Sequence, residues 1–291
     1  MTPALYLEVL IQGALTGLVY GLMALGLSVI FGVVRVVNFA HGEFAVLAMY
    51  ATFVLFTALH LDPILSVIPI AALFFLVGWF LQRFVVQPFI VRPQHDQFIL
   101  LVGLAIVLVN ALLMIFGPDS RHTDLPYSYD SWFVGPIIVD KVRAYAAAAA
   151  VAVTIALFAF FRFTLIGTAI RACADNLTGA AVVGLDVLKL YALTFGLGLA
   201  CAGAAGAIMV SLTDVTPMLA PSFTLLAFTI VIVGGLGSMA GALLGGLLIG
   251  VASGLTSVYF PSATEAVIYV MMGLVLLIRP RGLFGEEGRL H

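Results

Sequence analysis

Long apolar stretches follow one another along almost the whole chain, separated by short polar connections. A helix needs about 20 apolar residues to cross the hydrocarbon core of a bilayer. Stretches of that length predict spanning helices near 7–33, 44–60, 64–86, 97–117, 143–163, 189–211 and 264–279. The stretch 222–257 predicts two shorter helical arms. The pattern therefore predicts an all-α polytopic membrane protein with about 8–9 transmembrane helices.

Two of these apolar regions are interrupted by irregular sequence, NFAHGE at 38–43 and GGLGSMAG at 234–241. An unpaired backbone group in hydrocarbon costs several kcal/mol, so irregular backbone at membrane depth is found where it is buried in protein or lines a watery cavity. We therefore expect two broken or re-entrant helices beside a translocation path or gate. The candidate residues of that path or gate are Asn38, His41, Glu43, Gly234, Gly235, Gly237 and Ser238.

The first break carries the chain's most conspicuous polar residues next to an apolar span. Asn38 is expected to be the N-cap of a helix that restarts at about Phe39, and the positive end of that helix would favour a carboxylate-bearing solute. His41 and Glu43 are functional candidates because ionisable residues inside membranes are costly. Alternatively, they bond to neighbouring helices and fix the break. Two potential ligands without a further cluster argue only weakly for a metal site.

The second break contains no charged residue and is rich in glycine. Small residues spaced four apart, such as Gly237 with Gly241 and Gly246 with Gly250, allow close packing of helices, and this packing is the alternative to a gate.

Ser238 and His41 are also residue types that hydrolases use. A nucleophilic serine needs a base within hydrogen-bond reach, however, and nothing in the sequence brings these two together.

The segment IGTAIRACADNLTGAAVVGLDVLK, 166–189, is polar at its centre and keeps several alanines and valines. Asp175 and Asn176 are expected to cap a short helix whose apolar face contacts a partner protein or the membrane body. An ordinary interfacial helix is the alternative. We favour docking to a partner.

Composition excludes a soluble protein. The chain has 291 residues, of which 63% are hydrophobic and 9% charged, and its mean hydropathy is +1.22. A soluble core of this length could not bury so much apolar surface. The net charge of −2 and the lack of a basic run exclude nucleic acid as a partner. Cys173 and Cys201 predict neither a disulfide nor a metal site.

No GxxxxGK[ST] loop is present, so the chain is not expected to hydrolyse ATP, and it needs no cofactor of its own. Because no soluble domain is present either, any energy-coupling enzyme must be another chain. The whole chain, 1–291, is expected to be one transmembrane domain.

Basic residues predict the orientation, because short cytoplasmic loops collect Lys and Arg. The loop 118–142, rich in Asp and aromatic residues, is assigned to the periplasm, and the loop 164–188 and the C-terminus to the cytoplasm. Nine crossings would place the N-terminus outside, and eight would place it inside. The basic residues on the cytoplasmic side are Arg83, Arg92, Arg162, Arg171, Lys189, Arg279, Arg281 and Arg289.

Three long motifs occur in order: VNFAHGEF at 37–44, RACADN with AAVVGLD at 171–186, and AFTIVIVGGLGSMAGALLGGLLIG at 227–250. With these motifs the chain resembles the LivH-like permease subunits of ABC importers for branched-chain amino acids. The resemblance implies a bacterial inner-membrane subunit, surrounded by lipid, that pairs with a second related permease. It also implies two cytoplasmic ATPases that bind ATP and Mg, and a periplasmic solute-binding protein.

The same resemblance implies that 164–188 is a coupling loop whose short helix docks on an ATPase. The residues assigned to that contact are Arg171, Ala172, Asp175, Asn176 and Gly184. The expected function is ATP-driven import of branched-chain or other hydrophobic amino acids by alternating access. Related permeases suggest urea, short amides or small carboxylates as alternative solutes. A stand-alone secondary transporter or channel is the alternative of a different class.

Overall fold

The computed structural model describes residues 3–90, 92–135 and 137–285, so Arg289 of the expected cytoplasmic charges lies outside the described residues. Helices make up most of the described chain. Their bounds are α1 Pro3–Val34, α2 His41–Leu59, α3 Pro63–Leu81, α4 Gln94–Phe116, α5 Lys141–Phe163, α6 Leu165–Asp175, α7 Leu177–Val182, α8 Val187–Met209, α9 Leu219–Gly234, α10 Met239–Tyr259 and α11 Thr264–Ile278. A π-helical turn, Gln82–Val86, and a 3₁₀ turn, Gln87–Phe89, extend α3.

Eight helices of the described residues are long and apolar enough to cross a membrane, which confirms the predicted all-α polytopic class. α9 is also apolar but has only 16 residues, about 24 Å at 1.5 Å per residue. The predicted bounds differ from the observed ones by a few residues. The region 222–257 forms two arms, α9 and α10, as expected.

The connections gather at two opposite ends of the bundle. At one end, β1 (Ser131–Val134) and β2 (Ile137–Asp140) form a short antiparallel hairpin, and we call this the hairpin end. Side-chain and backbone hydrogen bonds join the segment 117–140 to the α2–α3 turn, the α8–α9 connection and the first part of α1. These contacts are Tyr127 with Asp62, Arg121 with Val215, and Gln12 with Ile138.

The opposite end carries α6 and α7 and the segment 279–285, and we call it the α6–α7 end. Successive helices α1 to α5 and α8 to α11 run alternately between the two ends. Nine helices of the described chain therefore run along the direction that joins the two ends, although α2 begins inside the bundle and α9 has only 16 residues. The beginning of α1 lies at the hairpin end and the segment 279–285 at the other.

The core of the bundle is built from α1 and α8. α1 packs most extensively on α10 and α8, and α3 also packs along α8. Much of α8 is alanine and glycine, so neighbouring helices approach it closely, and nearly every residue from Tyr191 to Met209 is buried. By contrast, α4 and α11 leave long apolar side chains exposed, including Met114 (88% exposed) and Leu277 (83%). Such faces are suited to lipid or another apolar surface.

Candidate transport path and partner surface

The first break brings the start of α2 into direct hydrogen bonding with α9. Thr224 Oγ1 donates to Glu43 Oε2 (2.6 Å) and accepts from the backbone N–H of Gly42 (2.8 Å). His41 Nε2 lies 2.9 Å from the carbonyl oxygen of Met23 on α1. We call these five residues the polar junction. His41 is fully buried, and Glu43 and Thr224 are 4% and 7% exposed.

The contact with Met23 shows how deep α2 begins. Met23 precedes the end of α1, Val34, by eleven residues, about 16 Å at 1.5 Å per residue. The chain between the two helices therefore leaves α1 at the α6–α7 end and returns into the bundle before α2 starts. Arg35 begins this return with a left-handed φ of 58°. This geometry agrees with the expected irregular backbone at membrane depth.

The expected role of Asn38 as an N-cap is wrong in detail. α2 begins at His41 rather than Phe39, and its N-cap, Ala40, makes no side-chain capping bond. Asn38 Oδ1 instead accepts from the N–H of Ala40 (3.1 Å), and its carbonyl accepts from the N–H of His41 (3.3 Å). Asn38 thus closes a local turn. The hydrogen bond that its side chain accepts in this turn takes the place of a capping bond. The turn delays the helix by two residues.

Two side-chain nitrogens beside the polar junction are buried without a hydrogen-bond partner among the described residues, His41 Nδ1 and Asn38 Nδ2. Such groups usually bind water or another polar group, because leaving them unpaired is costly. Both residues are fully buried, so neither faces solvent in this conformation. The contacts of His41 with Met23 and of Glu43 with Thr224 therefore support the alternative that these two residues bond to neighbouring helices.

The second break joins α9 to α10 through two glycines in left-handed conformations, Gly235 (φ 106°) and Gly237 (φ 80°). Ser238 is the N-cap of α10, where its Oγ accepts from the N–H of Gly241 (3.0 Å). The carbonyl of Ser238 accepts from Ser28 Oγ on α1 (3.1 Å). A Cβ on Gly234 would collide with the backbone of Gly241. Close helix packing, the expected alternative to a gate, is therefore observed here.

A contact that the sequence did not predict covers this second break. The segment 279–285 folds back so that Leu283 N–H donates to the carbonyl of Val233 (2.9 Å) and Phe284 N–H to that of Gly234 (3.0 Å). Orphan carbonyls at the end of a helix need such partners. A cavity of about 220 Å³ remains beside it, lined in part by Arg35, Gly237 and Arg281.

The segment 164–188 forms an exposed surface at the α6–α7 end. Thr164 caps α6 by accepting from Gly167 N–H (2.9 Å), and Asn176 caps α7 by accepting from Gly179 N–H (2.8 Å). Asn176 thus caps a short helix as expected, whereas Asp175 is the last residue of α6. The five residues assigned to coupling are all exposed: Arg171, Ala172, Asp175, Asn176 and Gly184.

Apolar side chains stand on the same surface. Val182 and Val183 are 82% and 76% exposed, and Leu177 is 47% exposed. On the inner side, Ile170, Cys173 and Ala180 are buried against the bundle. We call α6 and α7 with the residues up to Gly184 the α6–α7 surface. Its buried side fixes it to the bundle, and its exposed side is suited to an apolar partner.

Burial and hydrogen bonding shift the pKa of three groups outside the spans. Burial raises the pKa of the Cys173 thiol, so this cysteine stays protonated. Burial, together with the hydrogen bond to Asp62, also raises the pKa of Tyr127. Hydrogen bonds from Lys189 hold the pKa of Asp186, the N-cap of α8, below its usual range. None of these groups adjoins the polar junction.

The chemistry expected of a hydrolase or metal centre finds no support in the described part of the chain. Ser238 Oγ is occupied as a helix cap, while His41 bonds to Met23. Within residues 3–90, 92–135 and 137–285, no group of three or more His, Cys, Asp or Glu side chains is placed to hold a metal ion. Both cysteines are free thiols.

The described chain is a bundle of apolar spans with a polar junction at a broken helix and an exposed, partly apolar surface at one end, which is the architecture of an integral membrane protein. The chain belongs to the family described as branched-chain amino acid transport system / permease component, whose family model matches residues 9–278. The matched range contains both breaks and the α6–α7 surface.

Relatives from several bacteria match over nearly the full chain. The high-affinity branched-chain amino acid transport system permease protein LivH of Salmonella typhimurium is 31% identical over 300 residues, covering 97% of this chain and 96% of that protein. LivH of Escherichia coli is 30% identical with the same coverage. The corresponding permease protein BraD of Pseudomonas aeruginosa is 29% identical over 297 residues. No solved structure matches the chain.

Proposed function

We propose that this chain is the permease subunit of an ATP-driven importer for branched-chain or other hydrophobic amino acids. The single observation that carries the proposal is the α6–α7 surface, which is anchored to the bundle and exposes apolar side chains on a chain of this family. A chain without a nucleotide-binding loop needs such a surface to receive energy from another protein. The LivH and BraD relatives are named for branched-chain amino acid transport, which supports the solute class.

The proposed complex contains a second related permease, two cytoplasmic ATPases that bind ATP and Mg, and a periplasmic solute-binding protein. In this arrangement the α6–α7 end and the segment 279–285 face the cytoplasm of a bacterial inner membrane. The basic residues of the loops at that end favour this orientation. The hairpin end, with 118–142, then faces the periplasm, and nine crossings place the start of α1 outside.

The proposed mechanism is alternating access. Closure of the ATPase dimer moves the α6–α7 surface, which packs on α5, α8 and α1. α8 in turn packs along α2, and α2 meets α9 at the polar junction. The two breaks act as a gate at which α2, α9 and α10 move relative to α1. Asn38, His41, Glu43, Gly234, Gly235, Gly237 and Ser238 are the residues of that gate.

Reconstitution tests the proposed function. Proteoliposomes that contain this chain, a second permease and both ATPases should accumulate radiolabelled leucine only with binding protein outside and ATP inside. Omitting ATP, or removing the catalytic base of the ATPase, should abolish accumulation. If this chain alone equilibrates leucine across liposomes without any ATPase, the chain is a stand-alone transporter or channel instead.

A charge at the centre of the α6–α7 surface should break the coupling. Val182→Asp is expected to lower solute-stimulated ATP hydrolysis and leucine uptake about tenfold or more, because an unpaired carboxylate in an apolar contact is costly. The ATPase rate of the reconstituted complex and co-purification of the ATPases are the measurements. Val182 is preferred to Gly184 as a test site because Gly184 has a φ of 87°, which any side chain would strain.

Val182→Thr is the matched control for this experiment. It keeps the shape and neutrality of the exposed side chain and should retain most of the activity. Wild-type coupling in Val182→Asp would show that the ATPase docks elsewhere.

A further inference from the structure

A second cavity, larger than the one beside the C-terminal segment, opens near the hairpin end. It has a volume of about 440 Å³, within the range of small-molecule sites. The first turns of α1, the last turns of α10 and the start of α5 surround it. We call it the α1–α10 cavity, and its polar lining includes Glu8, Gln12, Thr16, Arg143, Ser253 and Ser257.

The floor of the α1–α10 cavity is helix backbone. Gly13 of α1 faces Gly250 and Gly254 of α10, and a Cβ on Gly13 would lie only 2.7 Å from the carbonyl oxygen of Gly250. The two helix backbones are therefore in direct contact here, and the cavity opens beside this contact. The lining beside this contact carries the hydroxyl groups of Thr16, Ser253 and Ser257 together with charged side chains.

Opposite charges stand on different helices around this floor. Glu8 lies on α1 and Arg143 on α5. Arg143 Nε is 3.7 Å from Asp140 Oδ2, which is too long for a good hydrogen bond, and Asp140 Oδ1 already accepts from the N–H of Val142 (2.9 Å). In the described chain, Arg143 makes no other hydrogen bond. Asp140 also lines the cavity, so an anion bound there would share the guanidinium of Arg143 with this ion pair.

An unpaired acceptor adds an independent observation. Gln12 Nε2 donates to the carbonyl of Ile138 (3.2 Å), which fixes the side chain. Its Oε1 is buried and has no partner among the residues described. A buried amide oxygen without a donor is costly, and because water-sized solutes do not reach this atom, it would gain a donor only if the side chain turned into the adjacent cavity.

We propose that the α1–α10 cavity binds a free α-amino acid as its zwitterion. The guanidinium of Arg143 pairs with the carboxylate, as its planar geometry favours. Glu8 receives the ammonium group, and Val9 and Val258 flank the aliphatic side chain. This inference rests on the proposed function, since it makes the cavity the place where solute enters the permease from the hairpin end.

Protection of an introduced thiol tests the proposal without requiring transport. Ser253→Cys places a thiol in the cavity of the assembled complex, while the native Cys173 and Cys201 are buried. Leucine at about ten times its Kd should slow maleimide labelling of this thiol about tenfold, because occupied cavities exclude the reagent. Leucinamide, which lacks the carboxylate, and the α-keto acid of leucine, which lacks the ammonium, should protect far less.

Variants identify the charges responsible. Adding Arg143→Gln or Glu8→Gln to Ser253→Cys should abolish protection, and Arg143→Lys should restore part of it. Glu265→Gln, an exposed acidic residue at the start of α11, should leave protection intact, and labelling of an exposed Ser262→Cys should not respond to leucine.

The inference and the proposed function fail in different ways. If Ser253→Cys complexes accumulate leucine but show no protection, or equal protection by leucinamide, the zwitterion site is wrong. If protection is seen while no ATP-dependent uptake occurs, the cavity binds the amino acid and the proposed importer function is wrong.

Discussion

Replacing Gly246 with valine is expected to abolish both the folded protein and its transport activity. Gly246 lies on α10 against α1, where a Cβ would collide with the Cα and N atoms of Gly21 and approach the carbonyl oxygen of Gly17 (2.8 Å). These are backbone atoms, which cannot move aside as a flexible side chain can. Overpacking costs about 1–3 kcal/mol when side chains can adjust, so a larger loss is expected here.

The measurements are the yield of monodisperse protein in detergent, its thermal stability and leucine uptake by the complex. Gly273→Val on α11 is the matched control, because among the described residues no atom beyond its own stretch of helix lies within 4 Å of a Cβ at Gly273. Both substitutions place the same β-branched residue in a spanning helix. If Gly246→Val were as stable and active as Gly273→Val, the close packing of α1 on α10 would be wrong.

Thr224→Val should lower leucine uptake about tenfold or more while the protein remains folded. The substitution keeps the shape of the side chain but removes its hydroxyl. Glu43 then loses a donor, and the N–H of Gly42 loses its acceptor. Each unpaired buried group costs about 1–3 kcal/mol, and about 1.4 kcal/mol corresponds to a factor of ten in rate. In the proposed mechanism the junction joins two helices that move relative to each other, so the loss should appear in transport.

Thr229→Val on the same helix is the matched control for this prediction. Thr229 is equally buried (2% exposed), but its hydroxyl donates only to the carbonyl of Leu225 within α9 (2.9 Å). A double-mutant cycle of Thr224→Val with Glu43→Gln should show strong coupling in uptake. Additive effects in the cycle, or equal losses of uptake in Thr224→Val and Thr229→Val, would show that the polar junction takes no part in transport.

The spans could be predicted because crossing a bilayer requires a particular length of apolar sequence. The breaks could be predicted because glycine, Asn, His and Glu are costly in that setting. A short helix in 164–188 could be predicted from Asp175 and Asn176 as caps, of which Asn176 is one, and from the alanines and valines that follow them. Each of these features depends on local sequence and on general costs in hydrocarbon.

The contacts between distant segments could not be predicted in this way. Thr224 lies about 180 residues after Glu43 and looks like any threonine that bonds within its own helix. The start of α2 moved from Phe39 to His41 because Asn38 used its side chain in a turn. The β1–β2 hairpin and the α1–α10 cavity likewise depend on which elements meet, which one sequence without geometry does not specify.

The return of the segment 279–285 onto the end of α9 has a consequence for biogenesis. Leu283 and Phe284 follow the last span in the order of synthesis, yet they satisfy the carbonyls of Val233 and Gly234. During insertion, these carbonyls therefore lack these two hydrogen bonds until the residues after α11 have left the ribosome. The backbone hydrogen bonds at the end of α9 are thus completed only after residues 283 and 284 have been synthesised. A chain that ended before Leu283 would leave these two carbonyls at the end of α9 without the donors that they have here.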